Sequence, residues 1–292
     1  MQLNLRSFRD ALWLALEHDV LNTAKAAAYS GMLALFPALV VLTALLALVP
    51  EGNSLVGEVR GSFEQILPPD SMSLLQYTMQ ARRFHSAQLI LSAAGLSVFA
   101  SLGLMLSLMD GFRRAYRQPR DNWGFWQRRF RALLLVPIVL APLSLATLVL
   151  VFGRQIESWM IDNAGHELRH FVLLVWRMAR WAVALLTGVS VLGALYHFGT
   201  RHKEHWAWVA PGAIAATLVW FPATLAFGWY VTRIADYSMF YGSFGAGVAT
   251  LVWLYITSFS ALLGAELNGV LFRERQEQAS DSESPEPDRS SQ

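Results

Sequence analysis

An all-α fold of six membrane-spanning helices, N-in and C-in behind a short amphipathic surface helix, is what this sequence predicts. Three observations carry that expectation. Of the 292 residues, 54% are hydrophobic and only 15% charged, and the apolar residues are gathered into blocks, the mark of a polytopic integral membrane protein. Two of these blocks, 213–231 and 245–271, have the length of about 20 residues that a helix rising ~1.5 Å per residue needs to cross hydrocarbon. Lys and Arg leave a net charge of only +2, but they are unevenly spread, and that asymmetry orients the chain. Cysteine is absent, which excludes structural disulfides and thiolate metal sites.

Leu5, Phe8, Leu12, Leu16 and Val20 recur at helical spacing, with Arg6, Arg9, Asp10 and Glu17 elsewhere on the wheel. Residues 1–25 therefore read as an amphipathic helix on the cytoplasmic membrane surface. This charged stretch holds no h-region, so it is no cleavable signal peptide. The transmembrane domain is expected over 26–271. Its first span, 26–49, contains Gly31 and Pro37; a proline inside a span frees a carbonyl that only a bend or a neighbouring helix can satisfy in lipid. The polar stretch 50–87, with Glu51, Glu58, Glu64, Asp70 and the Pro68-Pro69 break, is the largest extramembrane insert.

The second span, 88–109, runs into Arg113, Arg114, Arg117, Arg120, Arg128, Arg129 and Arg131, the strongest orientation signal in the chain. The third, 131–153, holds Pro137 and Pro142, and a loop of mixed charge follows it. The fourth, 176–198, ends at the basic Arg201-His202-Lys203. The last two spans form a hairpin around an interfacial loop that contains Asp236. Placing the second and fourth connections and both ends in the cytoplasm satisfies the positive-inside rule throughout. Trp123, Trp126, Trp206 and Trp208 then fall at the inner interface, and Trp159, Trp176 and Trp229 near the outer one, as amphipathic indoles should. Residues 274–292 turn to Ser, Glu, Gln, Asp and Pro and read as a disordered cytoplasmic tail.

The closing hairpin carries a resemblance. Pro211-Gly212-Ala213, Trp220, Tyr237-x-x-x-Tyr241-Gly242-Ser243-Phe244-Gly245-Ala246, Leu251-Val252-Trp253-Leu254-Tyr255 and Leu263-Gly264-Ala265-Glu266-Leu267-Asn268 together resemble the signature of the YihY/virulence-factor-BrkB family. Upstream, Ala26-Ala27-Ala28-Tyr29-Ser30-Gly31-Met32-Leu33-Ala34-Leu35-Phe36-Pro37 is similar to that family's first span, and Phe125-Trp126-Gln127-Arg128-Arg129 to its basic loop. The resemblance covers 12–268. It implies a multi-pass protein of the bacterial inner membrane, linked to envelope integrity, with some members connected to lipid export. It also brings an old label as a tRNA-processing ribonuclease, which is set aside because the cytoplasmic face shows no carboxylate or histidine cluster to hold catalytic metals.

Several residues are candidates for chemistry. His166-Glu167-Leu168-Arg169-His170 has the spacing by which two histidines on one helical face bind zinc beside a glutamate base. Arg169, Arg177 and Arg180 continue that face and oppose a dication, no third ligand is marked nearby, and His202 and His205 lie across the membrane. A surface helix start is therefore the main reading, and a membrane zinc hydrolase the alternative. Arg177 and Arg180 lie inside the outer end of the fourth span, where Arg must snorkel, pair or face a wet cavity. They read either as interfacial anchors or as a grip on an anionic group, for which the guanidinium fork suits phosphate or carboxylate. Asp236 and Glu167 are their alternative partners.

Glu266, near the inner end of the last span, reads as an interfacial acid paired with Arg273, or with Lys25 from the first span, or else as a gating carboxylate in a polar cavity. Gly242, Gly245 and Ala249 allow close helix approach. The Arg-rich second loop suits anionic lipid headgroups better than nucleic acid. No cofactor is implied. Prolines at 37, 137, 142 and 222 suggest kinked helices around a cavity. The leading expectation is an inner-membrane protein that transports or handles an amphipathic, anionic molecule such as a lipid, with a non-catalytic envelope scaffold as a further alternative.

Reporter fusions after Arg120 and after Arg275 are expected to be cytoplasmic, and fusions near Asp70, Asp162 and Asp236 to be external. A cytoplasmic signal at Asp162 would break the six-span topology.

Overall fold

The computed structural model describes residues 5–46, 87–118, 124–163, 169–200, 205–233 and 245–283. Within them every regular element is a helix: α1 (Leu5–Glu17), α2 (Val20–Leu46), α3 (Ala87–Ala115), α4 (Phe125–Asn163), α5 (Arg169–Gly199), α6 (Trp206–Arg233) and α7 (Gly245–Glu283). Five of these helices, α3 to α7, hold stretches long and apolar enough to span a membrane, among them Leu174–Gly199 and Trp206–Val231 at 26 residues each. The protein is thus all-helical and multi-pass.

The helices begin and end beyond the expected spans, because hydropathy marks the part that lies in hydrocarbon and not the ends of the hydrogen-bonded helix. α2 starts at Val20 rather than 26, and α6 at Trp206 rather than 213. The expected tail is corrected at its start. The stretch after Arg273 is rich in Glu, Gln and Arg, good helix formers, so it extends a helix already nucleated and is helical to Glu283; 284–292 lie outside the described residues. Prolines at 37, 137, 142, 211 and 222 all fall inside helices.

From α2 to α7 each helix packs on the next, and α7 closes the ring against α2 while also touching α3; α1 lies along α7. The middle of α7 is enclosed on every side, since all of 260–271 is buried. A helix buried all round must be apolar or small all round, and here the small residues matter most. A Cβ on Gly264 would run into the backbone carbonyl of Gly212 and the Tyr196 hydroxyl, and one on Gly269 into the carbonyl of Ala115. Helix backbones meet at these points, as they do in lipid where packing rather than water expulsion holds helices together. Tyr196 Oη donates to Ala261 O at 2.6 Å, and the Phe112 ring meets Tyr196 edge-on at 5.2 Å.

One end of the bundle gathers the N-terminal parts of α1, α2, α4 and α6 and the C-terminal parts of α3, α5 and α7. Arg128 pairs there with Asp110, and Ser7 Oγ donates to Glu274 Oε1 at 3.0 Å. α3 closes on a left-handed residue, Arg117, with φ 47°. Arg117 N donates to Arg114 O at 2.9 Å and Gln118 N to Arg113 O at 3.0 Å, which satisfies carbonyls that a helix end leaves open. This basic end is also where the core lies. Among the described residues, none is buried in α2 beyond Ala34, in α3 before Ala100, in α5 before Val191 or in α6 beyond Thr217.

Gly264→Ala is expected to lower stability by about 1–3 kcal/mol through overpacking, read as thermal unfolding of the detergent-solubilised protein. Gly95→Ala, where a Cβ would meet nothing within 4 Å, serves as the control and leaves the melting temperature unchanged or slightly raised.

Candidate functional site

Glu266 is fully buried in the enclosed stretch of α7. Its partner comes from the turn between α1 and α2. His18 N donates to Leu14 O at 2.8 Å to end α1, and Asp19 then takes a left-handed conformation, φ 58°, which Asp tolerates better than most residues. Asp19 also starts α2: its carbonyl accepts from Thr23 N at 3.1 Å, and Asn22 Nδ2 donates to its carboxylate at 2.7 Å. This reversal turns His18 back toward the bundle, where its Nδ1 lies 2.9 Å from Oε1 and 3.0 Å from Oε2 of Glu266. With Glu266 ionised, Nδ1–H is the donor to both oxygens.

Arg114 holds the turn from α3, with Nη1 donating to His18 O at 3.3 Å and to Thr23 Oγ1 at 3.2 Å. Arg273 and Arg117 stand close enough for their charges to act on Glu266. The side chain of His18 is 16% exposed and that of Glu266 0%, so the imidazole is the route by which solvent reaches the acid. A buried carboxylate is costly unless paired and hydrogen-bonded, and a carboxylate–imidazole pair can pass a proton between its members.

These contacts correct two expectations. Lys25 is not the partner of Glu266: it is exposed, and its Nζ donates to Asn22 Oδ1 at 3.1 Å. It lies two turns beyond His18 on a helix that leads away from Glu266. Arg273 contributes charge but no hydrogen bond to Glu266, and its Nη1 is buried with no hydrogen-bond partner. α1 itself is docked rather than simply laid on a membrane. Ala11 packs with Leu267, Val270 and Leu271 of α7, while Leu12, Trp13 and Leu16 point outward.

Arg177 and Arg180 belong to a different level. Both lie in the first half of α5, Arg177 exposed and Arg180 half-buried. Along α5, Arg180 is ~24 Å from Tyr196, whose hydroxyl marks the level of Ala261 on α7. Glu266 lies further still toward the basic end, so it shares no site with the two arginines. His166, Glu167 and Asp236 lie outside the described residues, and His170 falls in the first turn of α5. Among the described residues no three of His, Asp and Glu cluster as a metal site.

Two functional contacts were missed in the sequence. His18 had a signal, because Glu17-His18-Asp19 interrupts the apolar pattern, but nothing local points to an acid so far along the chain. Asn268 is the second. Pro211 has no N–H, and the next residue's N–H leaves the α6 ladder: Gly212 N donates to Asn268 Oδ1 at 2.8 Å, while Asn268 Nδ2 donates to Val209 O at 3.0 Å. That amide clamps α6 to α7 beside the Gly212–Gly264 contact.

A family model described as virulence factor BrkB matches residues 14–289. A putative ribonuclease-like protein, YfkH, of Bacillus subtilis is 29% identical over 88% of this chain and 92% of its own length. A UPF0761 membrane protein of Haemophilus influenzae is 26% identical over 92% of this chain and 96% of its own. Another, of Aromatoleum aromaticum, is 28% identical over 84% of this chain, which spans only 58% of that relative. No solved structure matches.

His18→Ala is expected to cost about 1–3 kcal/mol, since it leaves the Glu266 carboxylate buried without its hydrogen bond. Lys25→Ala is expected to stay within about 0.5 kcal/mol of the parent. Thermal unfolding of the purified protein compares the two, and equal losses would restore Lys25 as the partner.

Proposed function

Because the chain belongs to the virulence factor BrkB family, whose curated relatives include UPF0761 membrane proteins, we propose that it is a bacterial inner-membrane protein of six spans, N-in and C-in, that transports or handles an amphipathic anionic molecule such as a lipid in envelope maintenance. The sixth span is α2. The orientation is supported by the gathering of α1, the end of α7 and the Arg-bearing ends of α3 and α4 at one end of the bundle, where the positive-inside rule calls for the cytoplasm. At that end the basic second connection meets anionic lipid headgroups.

The observation that carries the functional reading is the unequal packing of the two halves. The basic half is closed around α7, whereas among the described residues none is buried in α2 beyond Ala34, in α3 before Ala100, in α5 before Val191 or in α6 beyond Thr217, and the buried residues toward the other end are Ala146 of α4 and Gly245, Ala246, Ala249 and Thr250 of α7. Arg177 and Arg180 sit in that loosely packed half, inside a stretch apolar enough to span. Leu174, Met178 and Trp181 beside them are exposed, as lipid-facing residues are. The planar guanidinium fork of an arginine at that depth suits a phosphate or carboxylate headgroup through bidentate hydrogen bonds. Glu266 and His18, at the closed end, fit a coupling or anchoring role rather than contact with the same headgroup. The ribonuclease of the Bacillus relative's printed name is not proposed for this chain, among whose described residues no group of His, Asp and Glu is placed to hold a catalytic metal.

Arg180→Lys is expected to insert and accumulate normally but to lose most activity, measured as movement of labelled anionic lipid in liposomes, because the planar fork is lost while the charge is kept. Arg177→Lys is milder, since that residue is exposed. Full activity in the double Lys variant would return both residues to the role of snorkelling anchors.

A further inference from the structure

The seam between α6 and α7 changes character partway along. At its basic end it is held by the Gly212–Gly264 contact and the two hydrogen bonds of Asn268. Moving away from that end, Trp220 Nε1 donates to Thr257 Oγ1 at 3.0 Å, and Thr257 Oγ1 donates back to Trp253 O at 2.9 Å. The helices are antiparallel, so the next turn sets Thr224 of α6 opposite Trp253 of α7. This is the same Trp–Thr pairing with the two residues exchanged between helices. Here the bond is not made: Thr224 Oγ1 and Trp253 Nε1 are both buried with no hydrogen-bond partner. An orphaned polar atom in an apolar medium costs about 1–3 kcal/mol, and two facing each other in one seam mark a place where a third group belongs.

The depth of this pair identifies the group. Trp181 of α5 meets Phe221 of α6 edge-on at 5.4 Å, so Arg180, Thr224 and Trp253 fall within about a turn of one level on three successive helices. Spans of 26 residues are ~39 Å long, which reaches from headgroup to headgroup and puts the edge of the ~30 Å hydrocarbon core ~5 Å inside each end. Thr224 lies ~10 Å inside Val231, the outer end of its span, and so ~5 Å within that edge. The polar lipid atoms nearest this depth are the glycerol-ester carbonyls, which accept and do not donate. Indole Nε1–H only donates, and the threonine hydroxyl can donate.

We propose that Thr224 and Trp253 form a hydrogen-bonding site for the ester carbonyl of a membrane glycerolipid entering between α6 and α7. This rests on the lipid-handling reading above and adds the atoms it would use. In the closed seam the two donors are covered by neighbouring hydrocarbon. Because none of the described residues of α6 beyond Thr217 is buried, α6 can move there at less cost in packing than at the Asn268 clamp, which holds the other half. Arg180, within about a turn of that level, can extend outward to the headgroup phosphate as the two donors take the ester.

The test compares diacyl phosphatidylglycerol with its dialkyl ether analogue, which keeps the phosphate and lacks the carbonyls. Binding to the full-length purified protein is read by native mass spectrometry. The parent protein is expected to bind the diacyl lipid about tenfold more tightly than the ether lipid. Trp253→Phe and Thr224→Val are expected to remove that preference, and to raise the melting temperature without lipid because each deletes an unmet buried group. Equal binding of both lipids by the parent, or an undiminished ester preference in the Trp253→Phe, Thr224→Val double variant, overturns this site and leaves the lipid-handling reading standing. A parent protein that binds neither lipid overturns both.

Discussion

Close approach of helix backbones around the middle of α7 is the constraint on which the remaining structure depends. Gly264 against Gly212, and Gly269 against Ala115, bring α6 and α3 to α7 at distances no side chain would permit. In a bilayer there is no water to expel from between helices, so cohesion comes from such contacts and from hydrogen bonds between helices. Tyr196, Phe112 and Asn268 exploit the same proximity. The Tyr196 hydroxyl reaches the Ala261 carbonyl only because position 264 has no side chain in its way.

That enclosure explains why Glu266 needs a partner from so far along the chain. A carboxylate in a helix walled by α3, α5 and α6 can be reached only from the basic end, and α1 with its left-handed turn at Asp19 reaches it there. α1 is thereby fastened at two carboxylates of α7, Glu266 through His18 and Glu274 through Ser7, with small residues such as Ala11 packed between them. The outward Leu12, Trp13 and Leu16 are then free to meet lipid. An amphipathic helix can serve protein and membrane together when its small face and its large apolar face are separate.

On the lipid-handling proposal, the two halves of the bundle divide the work. A closed half fixes helix order and register, and a loosely packed half leaves helices able to separate at modest cost. Arg180 and the unmet donors of the α6–α7 seam sit in the second half, where a binding group costs the fold least. Glu266 and His18 sit in the first, where their hydrogen bonds tie the α1–α2 turn to α7.

The sequence by itself determined that the protein is all-helical and multi-pass, because hydrocarbon thickness sets a length and an apolarity that a single chain must meet. It also singled out Glu266, Arg177 and Arg180, since charge within an apolar run is conspicuous. Only the tertiary structure decided that Glu266 pairs with His18 and not Lys25, that Arg180 is at another level from Glu266, and that α7 rather than any other helix is the enclosed one. These depend on which helices are neighbours and on their rotation about their axes. Hydropathy is blind to both when nearly every face of every helix is apolar. The Glu274–Glu283 stretch shows the same limit from the other side: its polar composition suits a disordered tail as well as a surface helix, and continuation of α7 beside α1 decides between them.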